Sequence, residues 1–209
     1  RYASTRLPGK PLVKIAGKEM IRRVADIAES ICRHNDDCHY VVATDDTRIL
    51  DFCNGAGIPA VMTAETCRSG TERCWDAVRS QENAPDFIIN LQGDNPLCPP
   101  WVIQQLINEW KATPADVFTP CIHLDWNEYD RLVESKKPTP YSGTTVLVDK
   151  DGYAMAFSKS TIPAIRKPEK ARTTLEKSPV RRHVGLYAYT LCALKNYFEL
   201  PESDYEIGS

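Results

Sequence analysis

The run RYASTRLPGKPL, residues 1–12, contains the side chains with the most specific chemistry. Three fixed cations, Arg1, Arg6 and Lys10, stand among small and turn-forming residues that include Ser4. Backbone N–H groups on such a bend can approach phosphate oxygens closely, and arginine adds planar, bidentate hydrogen bonds. This combination predicts a loop that binds a polyphosphate.

Three further polar segments stand where predicted strands end or a helix begins: ATDD (43–46), SGTER (69–73) and LQGDNP (91–96). In a parallel sheet, ligands gather beyond the carboxyl ends of the strands. Free N–H groups at the start of the helix that contains SGTER can hold an anion or a ribose. We therefore expect binding residues in all three segments.

Asp94 is the carboxylate that these segments favour as a metal ligand. It follows a predicted buried strand and Gly93, and a carboxylate there can bind a Mg²⁺ ion that bridges phosphates. The alternative is a turn-forming residue before Pro96. Likewise, Asp46 is more typical of a helix cap than of a catalytic group, and Arg73 alone could lie on a helix surface.

Alternating strands and helices must position these residues in the first half of the chain. Helices are predicted within 17–36, around 49–53, from about 71 and from 100 to about 111, and strands within 39–46, at 61–62 and at 86–91. This alternation predicts a parallel sheet covered by helices.

The second half has a different pattern. Strand-like runs occur at 116–121, 144–148, 153–157 and 183–189, and a helix is predicted at about 191–200. This pattern indicates an insertion of β-structure. The basic, proline-bounded stretch 166–182 is interpreted as a mobile surface loop.

Composition excludes several classes of protein. The 209 residues can form one substantial core, with 42% hydrophobic and 26% charged residues as in ordinary globular proteins. A net charge of −2 argues against broad nucleic-acid binding. Because no apolar run is long enough to span a membrane and no signal peptide is recognised, no membrane association is expected.

Eight cysteines are scattered without a C-x-x-C pair. The densest group of metal-binding residue types comprises Cys32, His34, Cys38 and His39, but their spacing fits no usual zinc site. We therefore interpret the cysteines as reduced and buried, which indicates a cytoplasmic protein.

Six ordered blocks resemble one family. RYASTRLPGKPL, ATDD, SGTER, QGD-x-P, DGYAMAFSKSTIP and RHVGLYAY occur in this order in 3-deoxy-manno-octulosonate cytidylyltransferases, also called CMP-Kdo synthetases. The resemblance extends from Arg1 to about Tyr189. The opening loop is shared with many sugar nucleotidyltransferases, whereas QGD-x-P and FS-basic-x-x-IP are more specific.

The resemblance implies an α/β fold with a three-layer, Rossmann-like, mixed and mostly parallel sheet of the nucleotide-diphospho-sugar transferase type. A β-rich insertion would serve acceptor binding and dimerisation. The chain would form one nucleotidyltransferase domain over 1–209, with a nucleotide-binding part at about 1–112 and an acceptor-binding and dimerisation part at about 113–209. We expect a homodimer.

The reaction implied is a Mg²⁺-dependent transfer in lipopolysaccharide precursor synthesis. CTP and an acidic ketosugar would give a CMP-sugar and pyrophosphate. The anomeric hydroxyl of the sugar would attack the α-phosphorus in line, without a covalent enzyme intermediate, so that catalysis depends mainly on positioning and charge neutralisation.

Block matching also implies the site residues. The catalytic residues would be Lys10, Arg1 and Asp94, with Lys10 relieving charge on the leaving pyrophosphate and Asp94 as the metal ligand. The nucleotide-binding residues would be Arg1, Ser4, Arg6, Lys10, Ala43, Thr44, Asp45, Ser69, Thr71 and Arg73. The substrate-binding residues would be Gln92, Lys159, His183 and Tyr187. For His183, the alternative is a strand histidine that is hydrogen-bonded in the core.

The sequence departs from the family pattern mainly on the acceptor side. Asn95 replaces an acid, Thr145 replaces a lysine, and Lys159 replaces an arginine, which removes a bidentate fork for a carboxylate. Two glutamates near the end are also replaced, and the residues aligned there are Asp204, Tyr205 and Gly208. The acceptor could therefore be another acidic sugar or a phosphonate, and a non-catalytic nucleotide-binding relative is a further alternative.

Family members begin with an apolar strand before the opening loop and continue beyond the position of Ser209. The resemblance implies that both parts are missing here, including a tail that carries a second Mg²⁺-binding aspartate.

Overall fold

Strands and helices alternate through the first half of the chain in a computed structural model that describes residues 7–79, 81, 83–201 and 204. The helices are α1 (Met20–Cys32), α2 (Thr47–Gly55), α3 (Gly70–Val78), α4 (Pro100–Ala112), α5 (Trp126–Lys136), α6 (Pro168–Arg172) and α7 (Leu191–Tyr197), and a 3₁₀ helix covers Lys10–Leu12. The strands are β1 (Lys14–Ile15), β2 (Lys18–Glu19), β3 (Val42–Thr44), β4 (Ala60–Met62), β5 (Phe87–Asn90), β6 (Val117–Phe118), β7 (Cys121–His123), β8 (Thr145–Val148), β9 (Ala154–Ser158), β10 (Arg181–His183) and β11 (Tyr187–Thr190). The predicted residues Arg1, Ser4, Arg6, Tyr205 and Gly208 lie outside the described residues.

The chain divides into two compact units. The first comprises the described residues up to Phe118 and those from Leu186 onward, and the second comprises Thr119–Gly185. In the first unit, β3 and β4 pair in parallel, β1 and β2 form a hairpin, and a three-stranded sheet has the order β5-β11-β6. The second unit contains an antiparallel sheet with the order β7-β10-β8-β9.

The predicted strand at 183–189 is two strands in different sheets. The chain bends at Gly185, so that β10 ends in the second unit and β11 begins in the first. In β11, Ala188 pairs antiparallel with Ile89 of β5 and with Phe118 of β6. The chain therefore returns from the second unit directly between two strands of the first.

Apolar residues at helical and strand spacing meet in separate clusters of the first unit. One cluster packs α1 and α2 together through Ala25, Ile49 and Cys53. Another contains Leu194 of α7 and residues of α3, β5 and β11, and Leu194 is fully buried. These clusters hold the helices against the strands whose carboxyl ends carry the polar segments.

Helix α5 was not predicted from the sequence, although its start carries a recognisable signal. Asp125 accepts a hydrogen bond from the backbone N–H of Glu128, and the Glu128 carboxylate accepts one from the backbone N–H of Asp125. This reciprocal capping box stabilises the first turn. Leu132 on the inner face of α5 packs with Leu124 and Val180.

The interpretation of 166–182 as a mobile surface loop is wrong. The stretch contains α6 and the start of β10, and both Ser178 and Val180 are fully buried. The hydroxyl of Ser178 donates to the carbonyl of Leu124 at 3.0 Å. Most of the basic residues are exposed, whereas Arg172 and Arg181 are half-buried. The buried side chains of Ser178 and Val180 hold the segment in place.

In the described part of the chain, none of the helices combines the length and the apolar character that a membrane span needs.

Candidate active site

An ion pair joins the opening loop to the segment after β5. Lys10 Nζ lies 2.6 Å from Asp94 Oδ2, and the two side chains are 34% and 49% exposed. An exposed pair of this kind contributes little to stability. It does, however, present an ammonium group suited to phosphate oxygens and a carboxylate suited to a metal ion at one accessible place.

Backbone geometry places Lys10 at this position. Gly9 has φ of +72°, a left-handed conformation that glycine adopts without steric penalty. The carbonyl of Gly9 accepts a hydrogen bond from the N–H of Leu12 at 2.9 Å. The bend predicted from glycine and proline is thus present, and Lys10 begins the 3₁₀ helix that follows it.

Close packing places Asp94. A Cβ atom on Gly93 would lie 3.2 Å from Cδ1 of Ile21 in α1, so the chain lies close to the helix here and a side chain would require Ile21 to shift. The N–H of Asn95 donates to the carbonyl of Gln92 at 3.0 Å, which closes a turn around Gly93 and Asp94. The turn in the QGD segment is therefore packed against α1, and this packing fixes the position of Asp94.

Arg73 is buried and ties three elements together. Its side chain is 9% exposed, and Nη2 donates to Asp45 Oδ2 at 2.6 Å. Nη1 donates to the hydroxyl of Thr63 at 2.5 Å. The alternative of a helix-surface arginine is therefore excluded. Arg73 links α3 to the residues that follow β3 and β4.

The ATDD segment spans the end of β3, as predicted: Ala43 and Thr44 are the last residues of the strand, and Asp45 and Asp46 follow it. Thr44 is buried at 2% exposure, and its hydroxyl accepts a hydrogen bond from the N–H of Asp46 at 3.1 Å. Asp46 caps α2 by accepting from the N–H of Arg48 at 3.0 Å, and hydrogen bonds from the Arg48 side chain hold the pKa of Asp46 below its usual value. The capping interpretation of Asp46 is confirmed. Ala43, one residue before Thr44, is half-buried.

The SGTER segment begins α3. The hydroxyl of Ser69 caps the helix by accepting from the N–H of Glu72 at 3.1 Å. The hydroxyl of Thr71 lies 3.4 Å from that of Tyr189 in β11. The start of α3 therefore faces the strand that lies beside β5.

Gln92 and Tyr187 occupy neighbouring positions of the first unit. Gln92 is exposed two residues after the end of β5, and Tyr187 pairs with Asn90, the last residue of β5. The ring of Tyr187 stacks on that of Tyr189 with centroids 6.2 Å apart. Burial raises the pKa of Tyr187, so its hydroxyl stays protonated.

The second unit holds the other two predicted substrate-binding residues. His183 Nε2 lies 2.8 Å from the hydroxyl of Thr119, and its ring meets that of Phe157 edge-on at 5.0 Å. Burial and then the charge of Lys159 lower the pKa of His183, so the imidazole is neutral at neutral pH. Lys159 is exposed, and its Nζ donates to the hydroxyl of Thr144 at 3.1 Å.

Lys136, at the end of α5, was missed by the sequence analysis. Its Nζ donates to the carbonyls of Ser142, Gly143 and Lys159 at 2.6, 2.7 and 2.6 Å. Burial, followed by the charges of Lys159 and Arg182, lowers the pKa of Lys136. The ammonium group joins two loop segments through three backbone acceptors. No short motif predicts this contact, because it depends on an unpredicted helix.

The donor set for a metal ion is small. Within residues 7–79, 81, 83–201 and 204, no three His, Cys, Asp or Glu side chains gather as a metal site. Mg²⁺ commonly binds one or two carboxylates together with water and substrate phosphates. Asp94 alone therefore fits a Mg²⁺ ion that arrives with a polyphosphate, and it does not fit a metal held by protein side chains alone.

Comparison with known proteins decides the family. A sequence model described as "Cytidylyltransferase" matches residues 1–207.

The chain belongs to the cytidylyltransferase family.

Named relatives of this cytidylyltransferase agree with the sequence resemblance. A protein of Maricaulis maris named 3-deoxy-manno-octulosonate cytidylyltransferase is 43% identical over 208 residues, which cover 99% of this chain and 77% of that protein. A mitochondrial protein of Arabidopsis thaliana with the same name is 37% identical over 200 residues, which cover 96% of this chain and 64% of that protein. The predicted resemblance is confirmed.

A solved structure confirms the predicted fold class. The structure of CMP:2-keto-3-deoxy-manno-octonic acid synthetase complexed with CTP superimposes on this cytidylyltransferase with a TM-score of 0.83 at 36% identity. The match covers 99% of this chain and 78% of that one. The mixed α/β nucleotidyltransferase fold and the enzyme class follow from these comparisons.

The three hydrogen bonds of Lys136 generate a prediction. We expect Lys136→Met to accelerate amide hydrogen exchange around 143 and 159–160 at least ~10-fold, because hydrogen bonds to charged groups each contribute about 1.5–3 kcal/mol. Hydrogen–deuterium exchange with mass spectrometry measures this change. Lys137→Met is the matched control, since Lys137 is exposed and pairs only with Glu134 among the contacts described for it. Equal exchange in both variants would exclude this role for Lys136.

Proposed function

We propose that this protein transfers the cytidylyl group of CTP to 3-deoxy-manno-octulosonate, an acidic ketosugar, and releases pyrophosphate. The observation that carries the proposal is the 2.6 Å contact between Lys10 and Asp94, which joins a phosphate-binding group and a metal-binding group. The names of the relatives and the CTP in the similar solved structure support this substrate pair. The reaction would supply an activated sugar for lipopolysaccharide synthesis.

The reaction requires one bond to form and one to break. The anomeric hydroxyl oxygen of the sugar attacks the α-phosphorus of CTP, and the bond from that phosphorus to the bridging oxygen of pyrophosphate breaks. Lys10 holds the phosphate chain and neutralises charge that develops on the leaving pyrophosphate. Asp94 would hold Mg²⁺, which when bound supplies positive charge to the phosphate oxygens.

The nucleotide is assigned to the first unit. Ala43 and Thr44 end β3, Asp45 follows it and is paired with the buried Arg73, and Ser69 and Thr71 lie at the start of α3. We propose that the exposed backbone and side-chain atoms of these segments bind the cytidine. Because its nitrogens bind Asp45 and Thr63, Arg73 acts by holding the pocket residues in place. The residues proposed to complete the triphosphate site are Arg1, Ser4 and Arg6.

Positive charge supports an acidic acceptor. In the second unit, Lys159 and Arg182 are exposed, and after burial their charges are the further causes that lower the pKa of Lys136. We propose that Lys159 and the neutral His183 of this unit bind the acceptor. Within the first unit, Gln92 and Tyr187 are proposed separately as substrate-binding residues. Lysine offers a point charge rather than the planar fork of arginine. This replacement favours, as second candidates, another acidic sugar or a phosphonate.

Pyrophosphate release tests the proposal. We would incubate the full-length protein and Mg²⁺ with CTP, UTP, ATP or GTP, each with 3-deoxy-manno-octulosonate, other acidic sugars or phosphonates. We expect release with CTP and the ketosugar. If pyrophosphate is released only with CTP and a different acid, that acid is the acceptor and 3-deoxy-manno-octulosonate is not. If no pair releases pyrophosphate, the non-catalytic alternative is favoured.

A second copy of the chain is the proposed protein partner. Strand β9 lies at the edge of the sheet in the second unit, and Met155 and Phe157 on it are 66% and 46% exposed. Exposed apolar side chains on an unpaired edge are typical of an association surface. We therefore propose a homodimer formed through this unit, and a monomer mass in light scattering would contradict it.

The eight free cysteines support a reducing, cytoplasmic location.

Asp94→Asn tests the metal ligand. The amide keeps the size of the side chain and removes its charge, so we expect loss of Mg²⁺-dependent turnover with an unchanged circular dichroism spectrum. Pyrophosphate release is measured over a Mg²⁺ titration. Asp51→Asn, on the exposed side of α2, is the control and should retain activity. Near-normal turnover of Asp94→Asn would remove Asp94 from the metal site.

Lys10→Ala tests the neutralisation of the leaving group. We expect kcat to fall at least ~10²-fold, the scale of removing one charge-stabilising contact in a transition state. Steady-state kinetics with varied CTP separate kcat from KM. Lys14→Ala is the control, because Lys14 is an exposed lysine of the neighbouring hairpin. If only KM increases, Lys10 binds the ground state without assisting the chemical step.

A further inference from the structure

Two cysteine sulfurs are in contact at the end of α1. Cys32 is the last residue of α1, and Cys38 lies in the segment that leads to β3. Their Sγ atoms are 3.3 Å apart, and the thiol of Cys32 donates to the sulfur of Cys38. Both residues are half-buried, not buried as the sequence analysis expected. Neither belongs to the residues assigned above to the active site.

The backbone brings the two sulfurs together. The N–H of Asn35 donates to the carbonyl of Cys32 at 3.3 Å, and the N–H of Cys38 donates to the carbonyl of Asn35 at 2.9 Å. These two successive turns fold the chain back on the end of the helix. The contact is therefore built into hydrogen-bonded backbone and does not depend on side-chain rotamers alone.

Asn35 also anchors these turns to the rest of the unit. Its side-chain amide donates to the carbonyl of Ile31 at 2.9 Å and to Gln104 Oε1 of α4 at 2.8 Å. The turn that carries Cys38 is thus fixed to two helices. A dithiol held in this way is prepared for ring closure, because little conformational freedom remains to be lost.

We propose that Cys32 and Cys38 form a redox modification site, at which a small disulfide oxidant such as oxidised glutathione converts the dithiol to an intramolecular disulfide. The sulfurs must approach from 3.3 Å to about 2.05 Å. The resulting ring fastens the end of α1 to the segment before β3. This proposal does not depend on the cytidylyl transfer proposed above.

The burial of Cys32 and its contact with Cys38 set the order of the steps. Burial, and then the hydrogen bond and charge of Cys38, raise the pKa of Cys32 to about 12, so Cys32 keeps its proton. The thiolate of Cys38 attacks one sulfur of oxidised glutathione, the glutathione S–S bond breaks, and one glutathione thiolate leaves. Cys38 now carries no negative charge, which removes part of the cause that raised the pKa of Cys32.

The second step completes a two-electron exchange. Cys32 loses its proton and attacks Cys38 Sγ, the mixed disulfide breaks, and the second glutathione thiolate leaves. The two protons lost by the cysteines are taken up by the two glutathione thiolates. The dithiol is oxidised by two electrons, and one glutathione disulfide is reduced to two glutathione molecules.

Peptide mapping tests the proposal with the native protein. We would incubate the reduced protein with oxidised glutathione, block remaining thiols with iodoacetamide and digest with trypsin without a reductant. Because Arg33 separates the two cysteines, the disulfide would link peptide 24–33 to peptide 34–48. We expect this linked pair in the unmodified chain and in Cys192→Ser, a variant of an exposed cysteine. We expect it to be absent from Cys38→Ser and to disappear with dithiothreitol.

Two results would overturn the proposal. In the first, Cys32 and Cys38 are fully alkylated under conditions that attach glutathione to Cys192. In the second, Cys32 or Cys38 carries glutathione and no linked pair forms. Circular dichroism of Cys38→Ser, measured in parallel, establishes that the absence of the linked pair in that variant reflects the missing sulfur and not loss of the fold.

Discussion

The first unit depends on the hydrogen bonds that the buried guanidinium of Arg73 makes. It joins α3 to Asp45 after β3 and to Thr63 after β4, and the backbone N–H of Thr63 donates to the carbonyl of Thr44 at 2.8 Å. Removing one partner of a buried pair commonly destabilises a protein by about 3–5 kcal/mol, because the remaining charge is left without compensation. The segments proposed to bind the nucleotide are therefore fixed before any ligand arrives.

The exposed pair of Lys10 and Asp94 has the opposite character. Because both side chains remain accessible to solvent, neither requires the other as a partner, and water or an ionic ligand can take its place. In the first unit, the buried pair of Arg73 and Asp45 therefore holds strand ends in place. The exposed pair of Lys10 and Asp94 leaves its two members available for other contacts. Family membership agrees with this division, since the chemistry proposed for a cytidylyltransferase acts on charged phosphates.

Local signals predicted the first half of the fold better than the second. Apolar spacing predicted α1 to within a few residues, and the glycine and proline pattern predicted the bend before Lys10, because both depend on neighbours in sequence. Helix α5 was missed although Asp125 and Glu128 carried a capping signal. The burial of Ser178 and Val180 could not be predicted, because it depends on packing against residues far away in the chain. The double hydrogen bonding of Arg73 and the three acceptors of Lys136 are likewise tertiary properties.

Because the chain returns to the first unit after Gly185, the second unit is one continuous insertion between β6 and β11, two adjacent strands of the first unit. Within that unit, the N–H of Val184 donates to the carbonyl of Pro120 at 3.0 Å, so the residues next to its two ends lie side by side. In the first unit, Phe118 and Ala188 are register partners on adjacent strands. The two points at which the second unit joins the first are therefore close together in the first unit. Exchanging residues 119–185 for the same segment of a relative would leave the strand order β5-β11-β6 unchanged. Through such an exchange, evolution or an engineer could alter Lys159 and His183 without rebuilding the part of the chain that carries Lys10, Arg73 and Asp94.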